Sequence, residues 1–326
     1  MSDDAHVGVS IERLDRCPNC NSDATVEWAR ARDRQLGLSP QASIYSRCKA
    51  CGILFQSERP AEASIAHFYP GEYAPYAGAN AGSHRWARVN HVALWASNKL
   101  IGVDRFERQM DGFYAALGAK AVVLDFGCGS GKFLDKARAK GCETIGMDFS
   151  PIALAHVAER GHRALSITDS DWQSIAHGSI GVIRMNHVVE HLYDPRRILG
   201  LLYRKLAPGG VIHIATPNSD SVSAEEYREH WWGLDCPRHI MIFTPSSLTA
   251  LVRDIGFQDV ELLHEPLTKD MARSELYRQV DTSYTDMSDV VSAHADGLLA
   301  LQFTLRSRRA VRQQRSDRIH LLARRR

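Results

Sequence analysis

The sequence predicts an α/β protein in which helices cover both faces of a mainly parallel sheet. Two observations carry this prediction: short runs rich in β-branched residues alternate with helical patterns from residue 119 to about 265, as in successive β-α-β units, and a glycine-rich turn follows the first run. Two Cys-x-x-Cys pairs near the start of the chain indicate a separate N-terminal segment. The runs are Ala121–Phe126, Thr144–Asp148, Arg163–Thr168, Val182–Met185 and Val211–Ala215.

Length and composition are ordinary for a globular protein. The 326 residues allow two domains at roughly 150 residues each. An apolar fraction of 44% and a charged fraction of 24% exclude wholesale disorder, collagen and coiled coil. A net charge of +2 requires no nucleic acid or anionic membrane as partner. The acidic start and the lack of a long apolar run predict a cytoplasmic protein without signal peptide or transmembrane segment.

The paired cysteines, Cys17-Pro-Asn-Cys20 and Cys48-Lys-Ala-Cys51, have the pattern of a zinc ribbon. Each pair points two thiolates at one place, and a tetrahedral Zn²⁺ needs four such ligands. The stretch between Cys20 and Cys48 is slightly longer than in a usual ribbon, and a long hairpin accommodates it at small entropic cost. A shell of four thiolates leaves no open position, so we expect a structural zinc. Buried unligated cysteines and redox pairs are the alternatives.

A glycine-rich loop joins the first predicted strand to a helical pattern. Gly127, Gly129 and Gly131 follow Asp125 there, and glycine lets the backbone approach a ligand without an intervening Cβ. The next strand ends in Asp148, at a spacing from the glycines where an acid hydrogen-bonds a ribose hydroxyl. Asp125 would repel phosphate, so the loop favours a ligand with a positive amino or sulfonium group over a dinucleotide.

At these residues the chain resembles the class I S-adenosylmethionine (SAM)-dependent methyltransferases. Asp125-Phe-Gly-Cys-Gly-Ser-Gly131 looks like their first motif, and Gly146-Met-Asp-Phe-Ser-Pro151 looks like their second. The resemblance implies a Rossmann-like, mainly parallel seven-stranded sheet with an antiparallel last strand, and SAM as cofactor. The cofactor-binding residues that it implies are Asp125, Gly127, Cys128, Gly129, Gly131, Asp148, Phe149, Asp169 and Asn186.

Within this resemblance each part of the cofactor has an expected contact. Residues 127–129 line the methionine part, Asp148 holds the ribose hydroxyls and Phe149 flanks the adenine. Asp169 fits an acid that meets the adenine amino group, with Asp171 as a competitor. The family's usual Phe-Asp pair before the fourth strand is replaced by Ile180-Gly181.

Further motifs resemble a subgroup that includes the ubiquinone-type O-methyltransferases and bacterial enzymes acting on sugars, some of which carry an N-terminal zinc-binding segment. This likeness implies a small-molecule acceptor, such as a sugar, a nucleotide-sugar or a glycan. Separately, the balanced charge leads us to expect no nucleic acid as partner, and a homodimer is a possible assembly. The motifs are Asn186-His-Val-Val-Glu-His-Leu-Tyr-Asp-Pro195, Leu206-Ala-Pro-Gly-Gly210, Thr216-Pro-Asn218 and Trp232-Gly-Leu-Asp-Cys-Pro-Arg-His239.

Three histidines are candidates for the general base that a hydroxyl acceptor needs. His187 and His191 follow the fourth predicted strand, and His239 follows an aromatic stretch. We expect His239 or His191 to be the base, with Glu190 orienting a partner. Each histidine could instead be a structural hydrogen-bonder.

The segment His187-Val-Val-Glu-His191 also has the pattern of the inverted zinc peptidases. That motif lies on a long helix, whereas this one begins at a predicted strand end, which disfavours the peptidase. A divalent ion beside the acceptor is a weaker alternative.

The first hypothesis is O-methylation of a sugar or glycan hydroxyl. The alternatives are a C-methyltransferase acting on a deoxysugar or a quinone-like ring, and a non-catalytic zinc-ribbon adaptor that binds SAM. The expected organisation is a zinc-ribbon segment (1–75), a helical connector (76–118) and a SAM-binding domain (119–326) with a helical insertion at about 266–315.

Four segments outside these motifs remain open. Residues 86–100 have helical apolar spacing. The aromatic stretch 68–76 either lines the acceptor pocket or packs the zinc segment onto the main domain. The arginine-rich segment 306–315 either binds an anionic group or is a solvated helix face, and residues 318–323 could form the last strand.

Overall fold

A computed structural model describes residues 9–39, 41–70, 99–115, 121–279 and 297–326. Most of the predicted helical spacing over 86–100, most of the aromatic stretch 68–76, and parts of the predicted connector 76–118 and insertion 266–315 lie outside the described residues. Within the described ranges, no helix combines the length and the apolar character needed to span a membrane.

The N-terminal segment forms an antiparallel sheet in the order β1-β4-β3-β2. Strand β1 pairs with residues 58–60, at the carboxyl end of β4. A short strand from much later in the chain, β10, pairs with Leu54 and Phe55 at the amino end of β4. A segment from the second half of the chain therefore completes the sheet. The strands are β1 (Ile11–Arg13), β2 (Thr25–Ala31), β3 (Ser43–Cys48), β4 (Leu54–Pro60) and β10 (Met241–Ile242).

The main sheet has seven strands in the order β11-β12-β9-β8-β5-β6-β7. The final strand β12 runs antiparallel to both of its neighbours, while β5 to β9 are parallel. This confirms the predicted Rossmann-like fold with an antiparallel last strand. The strands are β5 (Val122–Phe126), β6 (Glu143–Met147), β7 (Arg163–Leu165), β8 (Ile180–Asn186), β9 (Leu206–Pro217), β11 (Gln258–Glu265) and β12 (Arg318–Arg324).

Helices alternate with these strands. Among the described residues, 3-10 helices lie at Glu62–Phe68, Val189–His191, Arg228–His230 and Trp232–Leu234. The helices are α1 (Val103–Ala115), α2 (Lys132–Ala139), α3 (Pro151–Glu159), α4 (Asp169–Ser174), α5 (Pro195–Lys205), α6 (Val222–Tyr227), α7 (Pro245–Ile255), α8 (Lys269–Gln279) and α9 (Gly297–Arg312).

Local sequence explains several element ends. Ser150 caps α3 by accepting from the Ala153 N–H, and proline follows it at the first helical position. The third predicted strand, expected to reach Thr168, ends at Leu165. Thr168 instead caps α4 by accepting from the Asp171 N–H, because a threonine side chain can satisfy the open N–H groups of a helix start.

The arginine-rich segment forms the end of α9 and the turn that follows it. Arg306 pairs with Glu226, and Arg315 pairs with Glu225 at 2.7 Å, both acids lying on α6. Part of the positive charge of this segment is therefore compensated within the chain, which favours the interpretation as a solvated helix face.

One apolar core joins the two sheets. Ile53 and Phe55 of the N-terminal segment belong to the same buried cluster as Ile240 and Phe243, and this cluster continues into the main sheet. The N-terminal segment thus packs directly on the part of the chain that carries His239.

Candidate active site at the carboxyl edge of the main sheet

The glycine loop lies at the carboxyl end of β5 with a fixed backbone. The N–H of Gly127 donates to the Met147 carbonyl at 2.7 Å. All three loop glycines have positive φ: Gly127 at +79°, Gly129 at +49° and Gly131 at +74°. A Cβ built on Gly127 would lie 2.3 Å from Cγ2 of Val188. The glycine loop and the segment after β8 therefore approach each other more closely than a residue with a Cβ at position 127 would allow.

Replacing Gly127 with alanine is expected to close this approach. The clash with Val188 should cost about 1–3 kcal/mol beyond the backbone strain and weaken S-adenosylhomocysteine binding about tenfold or more. Calorimetric titration and urea unfolding measure the two effects. Gly178→Ala is the matched control, because φ is +70° there and no atom of the described residues lies within 4 Å of its Cβ position. Equal effects in both variants would contradict the steric argument, and adding Val188→Ala should restore part of the loss.

Asp125 is buried at the end of β5 and paired with an arginine. Its Oδ1 accepts from Nη1 of Arg184 at 2.9 Å, and the guanidinium lies 4.3 Å from the ring centre of Phe133. Burial raises the pKa of Asp125, while Arg184 opposes that rise. Because Arg184 compensates this carboxylate, the charge of Asp125 does not by itself select a cationic ligand, and its cofactor contact stays a prediction.

Asp148 holds the glycine loop against the second strand. Its Oδ2 accepts from the Gly129 N–H at 3.0 Å, and its Oδ1 accepts from the Ser150 N–H at 2.9 Å. Burial raises the pKa of Asp148, and these backbone hydrogen bonds act in the opposite direction. Each carboxylate oxygen keeps a second lone pair for a ribose hydroxyl. Phe149 is 51% exposed beside it, so its ring is accessible to a flat ligand.

The remaining predicted cofactor residues differ in accessibility. Cys128 is buried against Leu134 and Val157, and its N–H donates to the Met147 carbonyl at 3.2 Å. Asp169 is exposed at the start of α4, whereas Asp171 accepts from the Thr168 hydroxyl and the Ser166 N–H. This local use of Asp171 favours Asp169 among the two acids. Asn186 is half-buried at the end of β8.

His187 and Glu190 form a hydrogen-bonded pair just past β8. Nδ1 of His187 lies 3.1 Å from Oε1 of Glu190, and the Thr216 hydroxyl donates to Oε2 at 3.0 Å. Glu190 is fully buried, whereas the His187 side chain is 29% exposed. Burial raises the pKa of Glu190, but the hydrogen bond from His187 and the nearby histidines lower it overall. Glu190 therefore orients His187 as an anion.

His191 and His239 lie beside this pair with their rings 4.6 Å apart. Nδ1 of His191 is 2.9 Å from the Arg238 carbonyl, and Nδ1 of His239 is 2.8 Å from the Gly233 carbonyl. A carbonyl can only accept, so each ring carries its hydrogen on Nδ1 and keeps a lone pair on Nε2. Both histidines can therefore receive a proton at Nε2.

Protein surroundings favour the neutral form of two of these histidines. Burial lowers the pKa of His191 to about 4, with His239 acting in the same direction. Burial also lowers the pKa of His187, and the charge of Arg318 adds to that effect. A neutral imidazole is the form that can accept a proton, so both are in the competent state at neutral pH.

Glu190, His191 and His239 could also share a metal ion. One ligand atom from each lies within 4.8 Å of the others. The carbonyl acceptors on both Nδ1 atoms are of the type that orients histidine ligands. This geometry is compatible with the alternative of a divalent ion beside the acceptor. The segment 187–191 is a strand end followed by a short 3-10 turn, and it therefore lacks the long helix of the peptidase motif.

The loop that carries His239 is held by the N-terminal sheet. The Tyr45 hydroxyl lies 2.9 Å from the Leu234 carbonyl and 3.0 Å from that of His239, and Nε2 of Gln56 donates to the same His239 carbonyl at 2.9 Å. Arg238 is fully buried and contacts Asp33 at 3.0 Å and Asp235 at 2.7 Å. The N-terminal segment is therefore part of the scaffold of the site.

The four predicted zinc ligands converge in the N-terminal sheet. Sγ atoms are 3.6 Å apart for Cys17 and Cys51, 3.5 Å apart for Cys20 and Cys48, and all lie within 4.8 Å of one another. Four sulfurs around one Zn²⁺ at about 2.3 Å would be about 3.8 Å apart, so the residues fit the ion. The Cys17–Cys51 contact lowers the pKa of Cys51 and raises the pKa of Cys17.

Sequence reasoning missed several residues of this site. Arg184 had a usable signal, because it is the one charged residue in the otherwise apolar strand run 180–185. Asp235 and Arg238 lie inside a quoted motif but received no role. Asp33 and Tyr45 carried no signal, since their partners in the site, Arg238 and Leu234, lie in the second half of the chain.

Comparisons with known proteins found a matching family model and several similar proteins. A family model described as a methyltransferase domain matches residues 102–262. A probable S-adenosylmethionine-dependent methyltransferase of Mycobacterium tuberculosis is 30% identical over 46% of this chain and 54% of that protein. The ubiquinone biosynthesis O-methyltransferase of Psychrobacter arcticus is 27% identical over 69% of this chain and 92% of its own length. A SAM-dependent methyltransferase structure from Archaeoglobus fulgidus is 20% identical, with a TM-score of 0.46 over 71% of this chain and 98% of that one.

The match therefore spans about half the length of the mycobacterial relative. The family model covers β5 to β9, with the glycine loop and Asp148 after β6. It also covers His187, His191 and His239, which together are called the histidine cluster. Residues 102–262 of this chain are accordingly a methyltransferase domain of the class I, S-adenosylmethionine-dependent family.

Proposed function

We propose that the protein transfers a methyl group from SAM to a hydroxyl of a small molecule, a sugar or glycan intermediate. The observation that supports this most is the joint position of the glycine loop and the histidine cluster: Gly127 approaches Val188, which stands between His187 and Val189. A cofactor cradle and proton-accepting side chains thus share one sheet edge, where ligands bind in open α/β folds.

The residues that fit the cofactor are the loop glycines and the acids around them. The backbone of residues 127–129 can hold the methionine part, Asp148 the ribose hydroxyls, Phe149 the adenine face and Asp169 the adenine amino group. SAM, when bound, supplies an electrophilic methyl group. The task of the chain is to align the acceptor oxygen with that methyl group, and positioning alone contributes much of the rate of such a reaction.

In this proposal His191 takes the proton of the acceptor hydroxyl on Nε2. Its Nδ1–H is held by the Arg238 carbonyl at 2.9 Å, which fixes the tautomer, and the lowered pKa keeps the ring neutral. His239 is only 9% exposed and packs on His191, so it supports that ring. His187, oriented by Glu190, is the competing base. The zinc ion has a structural role in this proposal.

A sugar acceptor is supported by the subgroup resemblance and by Trp232, which is half-buried beside the His239 loop. Its ring stacks under the Arg273 guanidinium at 4.3 Å and contacts Tyr277. Such aromatic side chains offer an apolar surface with polar neighbours, which suits a molecule with apolar and hydroxyl-bearing sides.

The function is tested with labelled SAM, a panel of sugars and nucleotide-sugars, and calorimetric titration with S-adenosylhomocysteine. Formation of a methylated product with an O–CH₃ signal by NMR would support the proposal. A C–CH₃ signal would establish C-methylation instead, and the absence of any SAM binding at millimolar concentration would overturn it.

Exchanging each histidine for glutamine is expected to identify the base. His191→Gln should lower kcat about 10²- to 10⁴-fold while leaving the affinity for S-adenosylhomocysteine unchanged. The active form of the base is neutral, so kcat should rise with pH through its pKa. Because the pKa of the candidate is lowered, that rise should lie below about pH 6.5, the usual region for histidine. His187→Gln and His239→Gln serve as comparisons, and a larger loss in either would assign the base to that residue.

A further inference from the structure

Tyr69 connects the N-terminal segment to both sides of the candidate site. It follows the 3-10 turn Glu62–Phe68, and its hydroxyl oxygen lies 2.9 Å from Nδ1 of His191. Its ring meets Phe149 edge-on with centres 5.2 Å apart, and it meets the His191 ring at 6.0 Å. Tyr69 therefore stands between the residue expected to flank the adenine and the candidate base.

The hydrogen-bond roles around His191 follow from its second partner. The Arg238 carbonyl is also 2.9 Å from Nδ1, and a carbonyl has no hydrogen to give. Nδ1 must therefore carry the hydrogen, and the Tyr69 oxygen accepts a share of the same N–H. The phenol is an acceptor toward His191, so it stabilises the tautomer whose lone pair is on Nε2.

Packing fixes the position of Tyr69. Its ring belongs to a small apolar cluster with Leu36 of the N-terminal segment and Ala153 at the start of α3. Ala153 is fully buried, and its N–H is bound by the Ser150 side chain that caps α3. The hydroxyl is thus aimed at His191 by contacts from two separate parts of the chain.

We propose that Tyr69 is a positioning residue of the active site, which holds the Nδ1–H of His191 together with the Arg238 carbonyl and walls the cleft between His191 and Phe149. This inference rests on the proposed function for its kinetic consequence. The N-terminal segment then contributes a side chain to the methyl-transfer site in addition to scaffolding it.

Replacing Tyr69 with phenylalanine removes the acceptor and keeps the ring. Loss of a shared hydrogen bond should lower kcat about 3- to 10-fold and leave the affinity for S-adenosylhomocysteine within about twofold, because the wall remains. Tyr69→Ala removes the wall as well, so it should reduce both kcat and that affinity.

Tyr193→Phe is the matched control. The Tyr193 hydroxyl donates to the Pro60 carbonyl at 2.6 Å, so it also joins the N-terminal segment to the main domain, and Arg59 stacks on its ring at 4.5 Å. This bond does not involve the histidine cluster. Tyr193→Phe is therefore expected to change thermal stability without changing kcat, and equal kcat losses in Tyr69→Phe and Tyr193→Phe would overturn the proposal.

A spectroscopic measurement separates this inference from the proposed function. Nitrogen-15 NMR of the histidine rings reports the tautomer of His191 without any turnover, and the His191→Gln spectrum assigns the signal. The wild-type protein should show an Nδ1–H tautomer whose Nδ1 resonance shifts in Tyr69→Phe and stays in place in Tyr193→Phe. An unshifted resonance in Tyr69→Phe would contradict the positioning role even if methyl transfer is confirmed, and a shift would support it even if the acceptor proves different.

Discussion

Replacement of Cys48 by serine is expected to prevent zinc binding at the four-cysteine group and to reduce methyl transfer to the background rate. Binding of a structural zinc contributes roughly 10–16 kcal/mol in zinc-finger peptides, so loss of a ligand should loosen the N-terminal sheet. Cys48 is the last residue of β3, the strand that carries Tyr45. Release of β3 would free the loop that Tyr45 holds at Leu234 and His239.

Metal analysis, circular dichroism and turnover measure this prediction. The wild-type protein should contain about one zinc per chain, as one shell of four thiolates implies, and Cys48→Ser should contain almost none. Cys142→Ser is the control, because Cys142 is partly buried against Ala137 and Val182 and lies outside the four-cysteine group. A zinc-free Cys48→Ser protein with wild-type kcat would contradict the scaffold role of the ribbon.

Replacing Asp33 with asparagine is expected to lower the free energy of unfolding by about 3 kcal/mol, because it leaves the buried Arg238 guanidinium with one carboxylate partner fewer. Both side chains of the pair are fully buried at 3.0 Å. Asp235 remains as a partner at 2.7 Å, so the loss should fall at the lower end of the range for broken buried pairs. Activity should fall as well, since the Arg238 carbonyl orients His191.

Urea unfolding with and without the substitution gives the stability change. Arg30→Ala is the control, because Arg30 lies three residues before Asp33, near the end of β2, and pairs with Glu27 at 2.8 Å on the exposed surface, where ion pairs contribute little. Its free energy of unfolding should stay close to that of the wild type. Similar losses in both variants would show that stability depends on the segment 30–33 in general and not on the buried pair.

Much of the fold was accessible from the sequence. The alternation of β-branched runs and helical patterns reports which segments are strands, and the glycines and Asp148 mark the loop at the sheet edge. The two cysteine pairs predict the converging thiols because the spacing within each pair fixes a local turn. The seven-stranded sheet and its antiparallel last strand were confirmed, the latter following from the family resemblance.

The site itself was only partly predictable. Hydrophobic periodicity reports which face of an element is buried, but it does not identify the partner on that face. From the sequence, the charge of Asp125 was therefore interpreted as favouring a cationic ligand. The pairing with Arg184 changes this interpretation, and the sequence did not reveal it because the pair forms only through the register of β5 and β8. Likewise the pairing of β10 with β4 joins segments that no local pattern connects.

That pairing has a consequence for how the newly made chain acquires its shape. Strand β4 leaves the ribosome long before β10, and at about 5–20 residues per second the interval is roughly 10–40 s. During this time the cysteine-bearing sheet exists without its fifth strand. The segment that carries His239 can therefore reach its final position only late in synthesis, when β10 pairs with the earlier strand β4.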